Sequence, residues 1–319
     1  MIENKCIDLV ICGPDMSGTS TQIKDSIGYF QRIGMKVRDL TGTEIDALFH
    51  ARIFREFNQN HISALEFIKD ANVPTQIKNN FLMESYCLLR GIRRETDLFI
   101  ASMVENSIST FVDPNSADVW ILEEPTRRGS GQDNRAIEQN RSAYGSELHP
   151  VSAAFCHQNY RTGEFLRFRQ VLRELGKIII RSRSEESGCY QVYDERYLQS
   201  GISFIDYIKL PGHEIAFANP PTHMFVVCGR EDWKPIDYLQ MTNERIGGRA
   251  LDDHENNVWY QLLVNRRYAS SWINEFYKEG CGLYGAAPPE IIRFDITASK
   301  EQIKQQMGAK LDEIMWNRK

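Results

Sequence analysis

Seven residues, Cys6-Ile-Asp-Leu-Val-Ile-Cys12, constrain the fold more than any other stretch of the chain. The run is short, β-branched and almost wholly apolar. A strand with one wet face alternates apolar and polar side chains, whereas a strand covered on both faces does not. The run therefore predicts a central strand with helices packed on either side. It leads directly into a glycine-bearing loop, Gly13-Pro14-Asp15-Met16-Ser17-Gly18. Thr19-Ser20-Thr21-Gln22 follows, and Ile23, Ile27 and Phe30 then recur at helical spacing.

Later stretches repeat the alternation of strand and helix. Ala117 to Leu122 reads as a buried strand, ended by Glu123-Glu124-Pro125 because proline cannot donate to a ladder. Val151 to Leu175 reads as one helix closed by Gly176. Lys177-Ile178-Ile179-Ile180, Thr222 to Cys228 and Glu290 to Phe294 read as further strands. Trp233 to about Glu244, Asn256 to Tyr277 and Ser299 to Trp316 read as helices. This order predicts an α/β fold, a doubly wound and mostly parallel sheet. Between about Thr41 and Val112 the apolar residues keep helical spacing and strand-like runs are absent. The expected organisation is a core of residues 1–40 and 116–319, with a helical insertion at 41–115. Residues 244–249, Glu-Arg-Ile-Gly-Gly-Arg, read as a glycine-bearing basic loop within a separate segment, 243–255.

Composition excludes some classes. The formal net charge is -5, so the molecule as a whole does not attract nucleic acid or an anionic membrane, and any anion site must be local. Nucleic acid is thus an unfavoured but open partner. No run approaches the ~18 apolar residues that cross a bilayer, and no secretory leader pattern opens the chain. Seven scattered cysteines without CxxC spacing read as buried reduced thiols. A cytoplasmic protein with no membrane partner is the expectation. The histidines show no metal-ligand spacing.

In doubly wound sheets ligands bind at the carboxyl ends of the strands. Here those ends are Gly13-Pro14-Asp15, Glu123-Glu124-Pro125, Arg181-Ser182-Arg183 and Cys228-Gly229-Arg230, each polar immediately after an apolar run. Residues 13 to 20 read G-P-D-M-S-G-T-S against the phosphate-loop template G-x-x-x-x-G-K-[ST]. Both glycines and the last serine match, and Thr19 stands at the lysine position. Backbone N–H groups of such a loop cradle phosphate oxygens at a helix N-terminus. Gly13, Asp15, Ser17, Gly18, Thr19, Ser20 and Thr21 are therefore the candidate nucleotide-binding residues, and the Ser20 hydroxyl the candidate Mg²⁺ ligand.

Laid in order, the motifs resemble the thymidylate kinase-like branch of the P-loop nucleoside monophosphate kinases. The loop of that family is G-x-D-x-x-G-K-S-T-Q, and residues 13 to 22 match every defined position except the lysine. Glu124-Pro125-Thr126-Arg127-Arg128 through Gly131 and Arg135 resembles the family's R-E-P-G-G-T segment. Ser182-Arg183-Ser184, with Ser187 after it, stands where the family has Asp-Arg-Tyr and a serine. Arg245 and Arg249, followed by Asp252, Asp253 and Glu255, resemble the arginine-bearing lid. The resemblance covers residues 5–40 and about 117–317, but not the helical segment between.

The resemblance implies ATP and Mg²⁺ as cofactors and a nucleotide, dTMP or a related deoxynucleotide, as substrate. It implies that Asp15 contacts a sugar hydroxyl, that Arg127 or Arg128 holds the acceptor phosphate, and that Phe155 with Arg161 frames the base. Arg183 would bridge the phosphates, Arg245 and Arg249 would close over the transferring group, and Glu124 would serve as base or water ligand. A homodimer is also implied. Bland roles compete: Phe155 as core, Glu123 or Glu124 as structure. Two departures bear on catalysis. Thr19 removes the loop lysine and Ser182 the aspartate of Asp-Arg, and one preorganised charge at a transition state is worth ~2.7–4 kcal/mol. A nucleotide-binding pseudokinase or interaction protein is therefore the rival reading. A kinase acting on a modified nucleotide within DNA is the third.

Overall fold

The computed structural model describes residues 5–41, 114–124, 150–195, 201–245 and 253–318, with positions 72, 74 and 251 besides. Among the described residues, six strands form one sheet in which every pairing is parallel. They are β1 (Ile7–Cys12), β2 (Val37–Asp39), β3 (Val119–Glu123), β4 (Ile178–Ser182), β5 (His223–Cys228) and β6 (Glu290–Asp295), in the order β2-β3-β4-β1-β5-β6. The chain fills one side of β1 first and the other side afterwards. Such a reversal defines the crevice where ligands bind in this class. The doubly wound α/β class expected from the sequence is the class observed.

The apolar run is buried at every position from Ile7 to Cys12. Successive side chains point to opposite faces of the sheet. Leu9 and Ile11 join a core cluster with Ile23 and Phe30 of α1 (Thr19–Arg32) and with Ile303, Met307 and Leu311 of a long C-terminal helix. Val10 and Cys12 join a second cluster with Phe217, Val264, Tyr268 and Phe276. A third holds Trp120, Phe168 and Leu172 against Ile179. Helices thus cover both faces, as parallel sheets require.

The helix expected from 151 to 175 forms as α2 (Pro150–Glu164), a five-residue π-helical segment Phe165–Arg169, and α3 (Gln170–Glu174). Among the described residues between β4 and β5, a 3-10 turn at Glu185–Ser187 is followed by the short α-helices α4 (Gly188–Gln191), α5 (Phe204–Ile208) and α6 (His213–Ala218). After β5 come α7 (Pro235–Arg245), α8 (Asp253–Asn256), α9 (Val258–Ala269) and α10 (Trp272–Leu283). The single helix expected over Asn256–Tyr277 is therefore two, broken at Ser270. The Arg293 side chain from β6 donates to the carbonyls of Tyr268 and Ser270, which satisfies the backbone exposed by the break. The last helix, α11 (Lys300–Asn317), begins with a capping box between Ser299 and Gln302.

Parallel registry places Cys12, Glu123, Ser182 and Cys228 near one edge of the sheet. Arg318, just past α11, donates to the carbonyls of Lys5 and Gly176, so the two ends of the described chain lie side by side. No helix among the described residues is long and apolar enough to cross a membrane. The helical insertion at 41–115 lies outside the described residues except at 41, 72, 74, 114 and 115, and the lid segment is described only at 243–245, 251 and 253–255.

Candidate active site

Backbone conformation makes the loop between β1 and α1 depend on glycine. A Cβ on Gly13 would lie 2.2 Å from the Val227 carbonyl oxygen, inside any tolerable contact. Gly18 takes φ +85° at the N-cap of α1, a left-handed conformation that glycine adopts without strain. Met16 also sits at positive φ, +65°. Thr21 and Gln22 donate their N–H groups to the Gly18 carbonyl, which fixes where the helix begins. The first turn of α1 carries no acidic side chain, so the positive end of its dipole is not neutralised from within the turn. Ser20 and Thr21 are exposed, Thr19 half-buried. The Ser17 hydroxyl is buried in the loop without a hydrogen-bond partner.

Among the described residues, two arginines meet this loop. Arg183, just past β4, donates to Asp15 at 2.5 Å. Its guanidinium lies 5.1 Å from the centre of the Tyr190 ring, and the Tyr190 hydroxyl donates to the Gly13 carbonyl at 3.3 Å. Gln261 of α9 donates to the second oxygen of Asp15 at 2.8 Å. Arg245, the last residue of α7, donates to the carbonyls of Met16 and Ser17 at 3.3 and 3.1 Å, and also to Ile296. Arg245 thereby ties the loop to the end of α7 and to the turn after β6. A cavity of about 580 Å³ opens on its other side, lined by Arg230, Trp233, Met241, Ile296 and Lys300 among others.

Glu124 has a different setting from the one expected of a base or water ligand. It is buried, and its two oxygens accept from Arg161 at 2.9 Å, from Arg181 at 2.9 Å and from Arg169 at 3.4 Å. Arg181 also pairs with Asp8 of β1, as does Arg173. Arg161 is buried as well and donates to Ser187 at 2.8 Å. These two side chains are committed to an internal ionic network. Burial alone would raise the Asp8 and Glu185 carboxyls. The neighbouring guanidiniums outweigh burial and hold Asp8 below its ordinary value and Glu185 at about 2. At Glu186 burial prevails and pushes the carboxyl up to about 7, against the pull of Arg161. Two adjacent glutamates are thus driven apart by their surroundings.

Phe155 is not core: 49% of its surface is exposed on α2. Arg127, Arg128 and Arg249 lie outside the described residues. Among the described residues no group of three carboxylate, histidine or cysteine side chains is arranged to hold a metal ion. The buried cysteines have their thiols pushed up by burial, Cys12 and Cys189 furthest, which fits inert reduced thiols.

The structure adds Tyr190, Gln261 and Asn265, which the sequence did not single out. Gln261 and Asn265 lie one turn apart on α9. Asn265 accepts from Gly229 N–H and donates to the Arg230 carbonyl, so one buried polar edge of α9 grips the loops after both β1 and β5. Two amides at i and i+4 inside an apolar pattern were the available signal.

No family model matches the chain, and no curated protein matches it. Among solved structures, a thymidylate kinase from Ehrlichia chaffeensis is similar in chain course. It is 11% identical, the match covers 97% of this chain and 99% of that one, and the TM-score is 0.44.

Proposed function

We propose that the chain binds a nucleoside polyphosphate at the loop of residues 13 to 21 and transfers its terminal phosphoryl group to a nucleoside monophosphate. ATP with Mg²⁺ is the proposed donor. dTMP or a related deoxynucleotide is the proposed acceptor, on the resemblance of the ordered motifs. The observation that carries the reading is the convergence of a glycine-dependent loop, a helix N-terminus and two arginines at the carboxyl edge of β1. Phosphoryl transfer asks for in-line positioning and neutralised oxygens more than for covalent chemistry.

The residues present fit the donor. The unpartnered Ser17 hydroxyl, in the loop that leads into the N-terminus of α1, can bond a phosphate oxygen. The cavity beside Arg245 has the size and the mixed lining to take the donor's nucleoside. Ser20 would hold Mg²⁺, which when bound neutralises charge on the phosphate oxygens. Arg183 would contact the phosphates. Glu124 and Arg161 are assigned a supporting role, holding the strand ends in register.

A second reading has its own support: Thr19 brings no charge, and both arginines at the loop are engaged within the protein. It is a nucleotide-binding protein that does not turn over. A coupled assay over a panel of deoxynucleoside monophosphates at saturating Mg-ATP separates the two. ADP formation dependent on one acceptor is expected. Calorimetric ATP binding with no turnover above background would favour the binding protein, the more so if Thr19→Lys then created activity.

A further inference from the structure

We propose that Asp15 and Arg183 form a clasp in which the loop's own carboxylate occupies the cation meant for phosphate, so that polyphosphate must displace Asp15 to bind fully. The inference rests on the phosphate-binding reading and adds a regulation of that site.

Several observations carry it. The Thr19 position gives the loop no cation of its own. Arg183 is held beside the loop by two contacts: its backbone N–H donates to the Ile11 carbonyl and its guanidinium faces the Tyr190 ring, which is itself fixed by its hydroxyl donating to the Gly13 carbonyl. Its backbone sits at φ +65°, an unfavourable value for a side-chain-bearing residue, which persists only where the surroundings impose it. The pair is partly open to solvent, with 31% of the Arg183 and 17% of the Asp15 side chain exposed, so an anion can reach it. Gln261 holds the other Asp15 oxygen and gives the carboxylate a partner to keep when Arg183 leaves. Ion pairs at such exposure are weak enough to exchange, and a polyphosphate offers several charge-assisted bonds in place of one.

The sugar-contact role implied for Asp15 by the resemblance makes a different prediction, and inorganic tripolyphosphate distinguishes them because it has no sugar. Calorimetric titration of tripolyphosphate into the full chain, with D15N, R183Q and the double variant, forms a cycle. D15S serves as a second variant should D15N unfold at the assay temperature. Releasing Arg183 is expected to tighten binding roughly tenfold in D15N, a change worth about 1.4 kcal/mol. R183Q is expected to weaken it, and the D15N gain is expected to vanish in the R183Q background. A gain that persists without Arg183 is general charge repulsion and overturns the clasp, as does unchanged or weaker binding in D15N. In both cases the phosphate-binding reading stands. Absence of tripolyphosphate binding by every variant overturns the clasp and that reading together.

Discussion

Glu186 illustrates what burial does to a single residue. Its carboxyl faces Arg161 and Arg181 but also Glu124 and Glu185, and it titrates at about 7 instead of near 4.5. The folded protein therefore holds that proton more tightly than the unfolded chain. By linkage, the stability it contributes is complete below about pH 4.5 and is lost as pH rises through 7. Glu186→Gln imitates the protonated form. The variant is expected to match the parent near pH 5 and to exceed it at pH 8, by a few kcal/mol, in denaturant titrations at the two pH values. Equal stability differences at both values would contradict the assignment. The sequence identified Arg183, Asp15 and Glu124 as chemistry-bearing because they follow apolar runs. It could not show that Glu124 faces three guanidiniums, since a strand-end carboxylate looks the same whether water or arginine surrounds it.

At the scale of elements, legibility followed length and locality. The first helix and β1 were plain because their signals lie within the segment. The start of α11 was equally plain, and its capping box shows why: the Ser299 hydroxyl accepts from Gln302 N–H at 3.2 Å and Gln302 returns a bond to Ser299 N–H at 2.9 Å. Ser299→Ala is expected to cost about 1 kcal/mol, measured by chemical denaturation. Elements decided from a distance were hidden. The break between α9 and α10 depends on Arg293, which donates to Ser270 at 2.7 Å from a strand formed later in the chain. Apolar spacing runs through the break because both helices bury apolar faces. Strand β2 and helices α4 to α6 are three to six residues long, too short for a period to register.

Across the whole molecule, the ionic network joins β1, β3 and β4 to the helix above them. Asp8, Arg181, Glu124, Arg161 and Arg169 are all buried, and Arg173 closes the chain at its edge. Removing one member leaves its partners desolvated without compensation, so Glu124→Ala is expected to cost ~3–5 kcal/mol in equilibrium unfolding. A loss under 1 kcal/mol would show that the arginines re-pair. Nothing local announces such a network, because Glu124 and Arg181 are separated by 57 positions and Asp8 and Arg181 by 173. The contact between Arg318 and Lys5 spans further still, 313 positions. Its consequence is practical. A donor and an acceptor dye attached at those two positions are adjacent only when the last helix has docked beside the start of β1. Their energy transfer therefore reports, one molecule at a time, whether the two ends of the described chain have come together.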